Sequence, residues 1–174
     1  MSGDAPARQS EEFTSAMLAT VPALRAFAVS LTGRSDRADD LVQETILKAW
    51  AASASFQPGT NMKAWLFTIL RNHAMTQFKR RSREVEDVDG KIAGNVESRA
   101  GQEGHMALNE MRDALARLPE DQREAVLLVG AAGFSYEEVA EMCGTLVGTI
   151  KSRVSRGRAM LAQLMYGDAA IRGE

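Results

Sequence analysis

Apolar residues recur three and four positions apart through nearly the whole chain, and no segment alternates strictly between apolar and polar. A 3.6-residue period gathers such residues on one stripe of a helix, whereas a half-buried strand needs a period of two. The chain is thereby restricted to an all-α fold. Phe13, Met17, Val21, Leu24, Ala28 and Leu31 predict a first helix over about 12–31, with a kink or break at Pro22 and an end at Gly33. Ser35 and Asp36 are positioned to cap a second helix that buries Ala38, Leu41, Val42, Thr45, Ala49 and Trp50 and turns Asp39, Asp40, Gln43, Glu44 and Lys48 outward. The turn-forming stretch ASFQPGTN follows, and Thr60 or Asn61 starts a third helix with Met62, Trp65, Leu66 and Ile69 on its stripe.

Composition then changes abruptly. Arg71, Lys79, Arg80, Arg81 and Arg83 end the third helix without an acid among them. From Glu84 to His105 six acids face Lys91 and Arg99, a net of -4, with four glycines and no aromatic residue. A segment of that kind buries too little to offset its ordering entropy and reads as a flexible linker. Two small helical domains result: 12–83 and 106–166, joined by 84–105, with a disordered 1–11 and a tail over 167–174.

In the second domain a helix from Met106 to Leu118 stops at Pro119, which opens the next over Glu120 to Val129. Ser135 and Glu138 have the spacing of a capping box, Gly144 supplies a turn, and a last helix from about Val147 to Met165 steps inward through Ile150, Val154, Gly157 and Leu161. Two helices joined by a tight glycine turn, the second basic on its outer side, form a helix-turn-helix. Thr149, Lys151, Ser152, Arg153, Ser155, Arg156 and Arg158 are donors that suit phosphates and base edges. Four basic residues on phosphates give a salt slope near -3.6, so this helix alone binds DNA weakly.

Around Arg71, the aromatic and amide groups of Trp65, Phe67, Asn72 and Phe78 suit unstacked single-stranded bases. Asp39, Asp40, Gln43 and Glu44 lack a nucleophile, metal spacing or phosphate loop beside them, which favours a protein docking surface over acid–base catalysis. No catalytic residue, cofactor or metal site is expected, and the chain is not read as an enzyme. The single cysteine, Cys143, excludes an internal disulfide and reads as a structural thiol. No apolar run suggests a membrane span and the polar start MSGDAPARQSEE does not resemble a signal peptide, so a monomeric cytoplasmic protein is expected.

The order of these pieces resembles a bacterial sigma factor of the extracytoplasmic function (ECF) type. DRADDLVQETILKAW resembles the region-two helix that binds the core polymerase clamp, and AWLFTILRNHAMTQFKRR the part that melts and reads the minus-ten element. GFSYEEVAEMCGTLVGTIKSRVSRGRAML resembles the region-four helix-turn-helix that reads the minus-thirty-five element. REVEDVDG, directly after the basic helix, is similar to the EcfG group, the general stress response sigma factors of alphaproteobacteria. Thr76 and Leu146 depart from the common ECF pattern of an acid and a proline.

The resemblance implies that Asp39, Asp40, Leu41, Gln43 and Glu44 dock on core RNA polymerase. Asn61, Trp65, Arg71, Asn72, Lys79 and Arg80 would engage the opened minus-ten strand of promoter DNA. Lys151, Ser152, Arg153, Ser155, Arg156 and Arg158, with Thr149, would read or clamp the upstream element. It also implies an anti-sigma factor of the NepR type, released by a PhyR-type response regulator. Two rivals stand beside it. A sigma-like decoy that sequesters an anti-sigma factor is expected to carry a receiver domain and is free to lose the basic residues kept here. A conventional helix-turn-helix repressor needs neither the acidic helix nor the aromatic basic one.

Overall fold

The computed structural model of the chain describes residues 5–86 and 103–167. Seven α-helices carry these residues: α1 (Ala5–Thr32), α2 (Ser35–Ala51), α3 (Met62–Glu86), α4 (Glu103–Ala116), α5 (Glu120–Val126), α6 (Tyr136–Cys143) and α7 (Val147–Tyr166). A 3-10 turn at Ser53–Ser55 follows α2, and a π-helical turn at Leu127–Ala131 continues α5. Among the described residues there is no strand.

The first three helices form a bundle. Leu24, Phe27, Ala28 and Leu31 of α1 meet Ala38, Leu41, Val42 and Ala49 of α2 and Leu66, Phe67, Leu70 and Ala74 of α3, all buried. Each fully buried leucine here contributes about 1.5–3 kcal/mol relative to exposure. Thr45 is the one buried polar residue of α2, and its hydroxyl donates to the Leu41 carbonyl at 2.7 Å, so its own donor is satisfied.

Several sequence expectations need correcting. α1 begins at Ala5 rather than near Glu12, with Pro6 in the first turn, where no intrahelical N–H is required. It also runs through Pro22 without ending. Pro22 is exposed, and the Leu18 carbonyl left without its donor belongs to an exposed residue, so water can serve it. The stretch Ser10–Thr32 is long and apolar enough by composition to reach across a bilayer; its inner residues Met17, Leu24, Phe27, Ala28 and Leu31 are instead buried against the bundle. Arg34, not Ser35 or Asp36, occupies the N-cap of α2, and Asp36 in the first turn pairs with Arg34 at 2.9 Å. Trp50, expected inside, is 52% exposed. α3 extends to Glu86 and α4 starts at Glu103, so helix enters the predicted linker from both sides. The second half of REVEDVDG, from Asp87 onward, and most of the linker lie outside the described residues.

The second domain follows its signals closely. Pro119 caps α5. The Ser135 hydroxyl accepts from the Glu138 amide at 3.1 Å while the Glu138 carboxylate accepts from the Ser135 amide at 2.8 Å, completing the capping box. Gly144 ends α6 at φ 61°, a left-handed conformation that costs glycine no side-chain clash. Gly157 does a different job: a β-carbon there would stand 2.6 Å from Val126 Cγ2 and 3.3 Å from the Gln122 carbonyl oxygen. α5 and α7 therefore approach as closely as they do because position 157 has no side chain.

The two domains pack against each other, α1 and α3 touching α4, α6 and the π-helical turn. Their buried apolar residues form one continuous cluster.

Candidate polymerase and nucleic-acid interfaces

Helical period alone decides which residues of α2 reach the surface. Asp39, Asp40, Gln43 and Glu44 are exposed, and Leu47 (57%) and Trp50 extend the same face with apolar surface. Leu41 points the other way and is 2% exposed, so it anchors the helix and presents nothing to a partner. Asp39 is held by Arg25 of α1, whose Nε donates at 2.7 Å and Nη2 at 3.3 Å. The hydrogen bond and charge of Asp39 raise the Arg25 pKa, although both side chains remain in solvent, where such a pair contributes little. The outcome is a stripe of acids ending in two large apolar side chains. Leu47 and Trp50 escaped the sequence reading because an amphipathic pattern assigns a tryptophan inward by default.

At the start of α3, Asn61 accepts from the Ala64 amide at 3.1 Å and so caps the helix. Beside it, Phe13, Trp50, Phe56 and Trp65 form a chain of rings with centroids 5.1–6.4 Å apart. Phe13, Trp50 and Phe56, with Pro58, Thr60 and Met62, border a cleft of about 530 Å³. Trp65 is half-buried and packs against Phe13 and Phe56 of that wall. An aromatic-walled cleft next to a carboxamide is suited to an unstacked base.

Further along α3 the site residues part company. Lys79, Arg80 and Arg83 are exposed, as is Asn72. Arg71 instead turns toward the second domain: its Nε donates to Glu124 Oε1 at 2.6 Å and its Nη2 to Oε2 at 3.4 Å, while Nη1 donates to Asn72 Oδ1 at 3.1 Å. Glu124 is 2% exposed. Burial works against the charge of Arg71, but the hydrogen bond and charge of Glu124 outweigh it and hold the guanidinium pKa above its usual value. Cys143 lies beside this pair, with Sγ 3.8 Å from Glu124 Oε2; burial and then the Glu124 charge push its thiol up to about 11, leaving it protonated and unreactive at neutral pH.

Two further contacts complete this junction, one of them from Lys63, which no motif singles out. The Lys63 ammonium donates to the Ala132 carbonyl at 2.6 Å, at the end of the π-helical turn, where helix-end carbonyls attract cations. It also sits 5.7 Å and 5.0 Å from the ring centroids of Phe67 and Phe134, which meet edge-to-face at 5.1 Å. Asn61 Nδ2 reaches Glu138 Oε1 at 3.5 Å. No sequence signal links partners 53 to 77 positions apart across a linker.

α7 keeps its charged side available. Lys151, Ser152, Ser155, Arg156 and Arg158 are exposed, while Thr149 and Arg153 are half-buried. Arg153 Nε bonds Asp121 Oδ2 of α5 at 3.1 Å, and Lys151 lies 5.9 Å from the Tyr136 ring. Ile150, Val154 and Gly157 are buried opposite, so the helix presents one basic face and anchors by the other.

Known proteins match this arrangement. The family Sigma-70 region 2 matches residues 17–84, and Sigma-70, region 4 matches residues 108–161. The ECF RNA polymerase sigma factor EcfG of Rhodopseudomonas palustris is 59% identical over 154 residues, 88% of this chain and 85% of that protein. The RNA polymerase sigma factor CnrH of Cupriavidus metallidurans is 31% identical over 87% of this chain and 83% of its own length. Among solved structures, the sigma factor RpoE in complex with the anti-sigma factor NepR from Bartonella quintana superposes with a TM-score of 0.82 at 51% identity, covering 91% of this chain and 99% of that one. With region 2 carrying α2 and α3, region 4 carrying the helix-turn-helix, and such relatives along nearly its full length, the chain belongs to the ECF RNA polymerase sigma factors.

Proposed function

We propose that α2 docks this sigma factor on core RNA polymerase, that α3 and the aromatic cleft engage the opened minus-ten strand, and that α7 reads the minus-thirty-five element. The observation that carries the reading is the division of surfaces on one chain. An acidic and apolar face on α2, an aromatic and basic region that adjoins it at Trp50 and continues along α3, and a basic recognition face on α7 each suit a different ligand. Within the docking face Asp39, Asp40, Gln43 and Glu44 act with Leu47 and Trp50, and Leu41 acts only from behind. Lys79, Arg80 and Asn72 contact the strand, joined by Arg71 when it leaves Glu124, Trp65 stacks, and Asn61 shapes the cleft by capping the helix. Lys151, Ser152, Ser155, Arg156 and Arg158 meet the upstream duplex, joined by Thr149 and by Arg153 when it leaves Asp121.

The likeness to EcfG and to the NepR-bound RpoE supports a role in the general stress response, in the cytoplasm, under an anti-sigma factor of the NepR type. That partner covers surfaces used for polymerase. Simultaneous capture of anti-sigma factor and core polymerase on one sigma molecule would refute the competition.

Reconstituted transcription with core polymerase tests the whole reading: promoter-specific initiation on a stress-type promoter is expected, and its absence on every such promoter rejects it. The double variant Arg153→Ala with Arg156→Ala removes two of the charges on α7 and is expected to lower promoter recognition at least tenfold while core binding stays intact. A loss of core binding instead would mean that α7 serves the protein interface.

A further inference from the structure

The junction between the domains occupies residues that the proposed function needs elsewhere. Arg71, on the strand-binding helix, is held by two bonds to a carboxylate from the other domain. A carboxylate and a phosphate offer a guanidinium the same planar pair of anionic oxygens, so Glu124 fills the place of a DNA phosphate. Asn61 at the mouth of the cleft and Lys63 one turn before Phe67 are likewise drawn onto Glu138 and the Ala132 carbonyl.

We propose that Glu124 is an internal competitor of promoter DNA: it latches region 4 onto α3 through Arg71, with Lys63 as a second catch, and masks the minus-ten surface in the unbound chain without help from any partner. The proposal rests on the reading of α3 as the strand-binding helix and adds how that surface is regulated.

The physics favours a latch that holds and yet releases. A buried ion pair repays its desolvation only narrowly, so an alternative anion reaching Arg71 at little extra cost can open it. Removing one partner leaves an unpaired buried charge, which relaxes by moving into water and separating the domains. The basic face of α7 lies outside the junction, so duplex DNA or polymerase can engage region 4 or α2 first and the minus-ten surface is uncovered afterwards.

The test uses the purified full chain and the variants Glu124→Gln, Lys63→Met and, as a charge-matched control on the exposed side of α5, Glu120→Gln. Small-angle scattering reads closure; a compact chain of this length has a radius of gyration of about 16 Å. Glu124→Gln and Lys63→Met are expected to raise that radius while circular dichroism shows unchanged helix content. The lone thiol gives a second reading in Lys63→Met, whose change leaves the neighbours of Cys143 untouched: its reaction with a disulfide reagent should quicken roughly tenfold. Binding of fluorescein-labelled oligo(dT)20 should tighten about tenfold in both latch variants and stay at the wild-type value in Glu120→Gln.

If scattering and thiol rate match wild type in both latch variants, the latch is overturned whatever α3 binds. Should the variants open without gaining oligonucleotide affinity, the masking falls together with the reading of α3. Equal tightening by Glu120→Gln would assign the effect to net charge and would also overturn the latch.

Discussion

α3 and α7 both carry runs of positive side chains, but α3 is packed on two sides and α7 chiefly on one. On α3, Leu66, Phe67, Leu70 and Ala74 face α1 and α2, while Lys63, Phe67 and Arg71 also meet the second domain. On α7 the buried line Ile150, Val154 and Gly157 leaves the opposite side to solvent. Charge on a sequence therefore does not equal charge on offer. A cation next to an acid from a distant segment is already spent, whereas one on the far side of a singly packed helix remains available.

Three substitutions and one titration can break or sharpen that contrast. The largest effect is expected from Phe67→Ala, because this ring is buried against both Phe27 at 5.2 Å and Phe134 at 5.1 Å. A loss of about 3–5 kcal/mol of unfolding free energy in urea is expected, with both domains affected together. A loss shared by both domains would support the doubly packed view; an effect confined to either domain would contradict it.

On α7, Gly157→Ala should cost about 1–2 kcal/mol, since overpacking against Val126 and the Gln122 carbonyl outweighs the gain of about 1 kcal/mol in helix propensity. Denaturation of the variant should show the loss in the second domain alone, and stabilisation would mean that α5 and α7 are free to move apart. Ser135→Ala removes the hydroxyl of the capping box and should cost about 1 kcal/mol by the same measurement, with fraying of α6 visible in amide exchange.

The smallest effect is a pH dependence between α2 and α3. His73 Nδ1 lies 2.6 Å from Lys48 Nζ and its Nε2 lies 2.9 Å from Gln77 Nε2. Burial first, and then the Lys48 charge, lower its pKa, with Glu44 opposing. The folded state thus binds fewer protons than the unfolded state, so stability is full above about pH 6.5 and declines as pH falls toward the lowered value. The melting temperature should drop slightly from pH 7.5 to 5.5 in wild type and stay flatter in His73→Gln; parallel curves would assign the drop to other groups.

Much of this fold can be read from residue spacing. The stripes of α2 and α7, the Ser135–Glu138 box, the Gly144 turn, the Asn61 cap and the close approach at Gly157 all depend on interactions within a few residues or on one face of one helix. What spacing could not reveal has a common cause. Arg71 and Glu124 each look like ordinary solvated charges in their own helices, and only tertiary packing brings them together. Trp50 and Leu41 are both apolar on α2, yet one lies outside and one inside, because the bundle covers only part of the apolar arc. The first turns of α1, Ala5 to Glu11, hold no large apolar side chain and so leave no stripe to read, and Pro22 reads as a breaker although on an exposed face its missing N–H deprives only a carbonyl that water can reach.

The π-helical turn at Leu127–Ala131 holds one residue more than an α-helical path would need, and the Ala132 amide accordingly donates five positions back to Leu127 at 2.9 Å. Deleting one residue there would let the helix revert to regular winding along nearly the same path, because the wider turn already absorbs the extra residue. Docking of the two domains thus draws on an inserted residue as well as on chemistry: the widened turn itself packs against α1, so a single-codon deletion in it would alter the contact surface directly while the helices on either side keep their course.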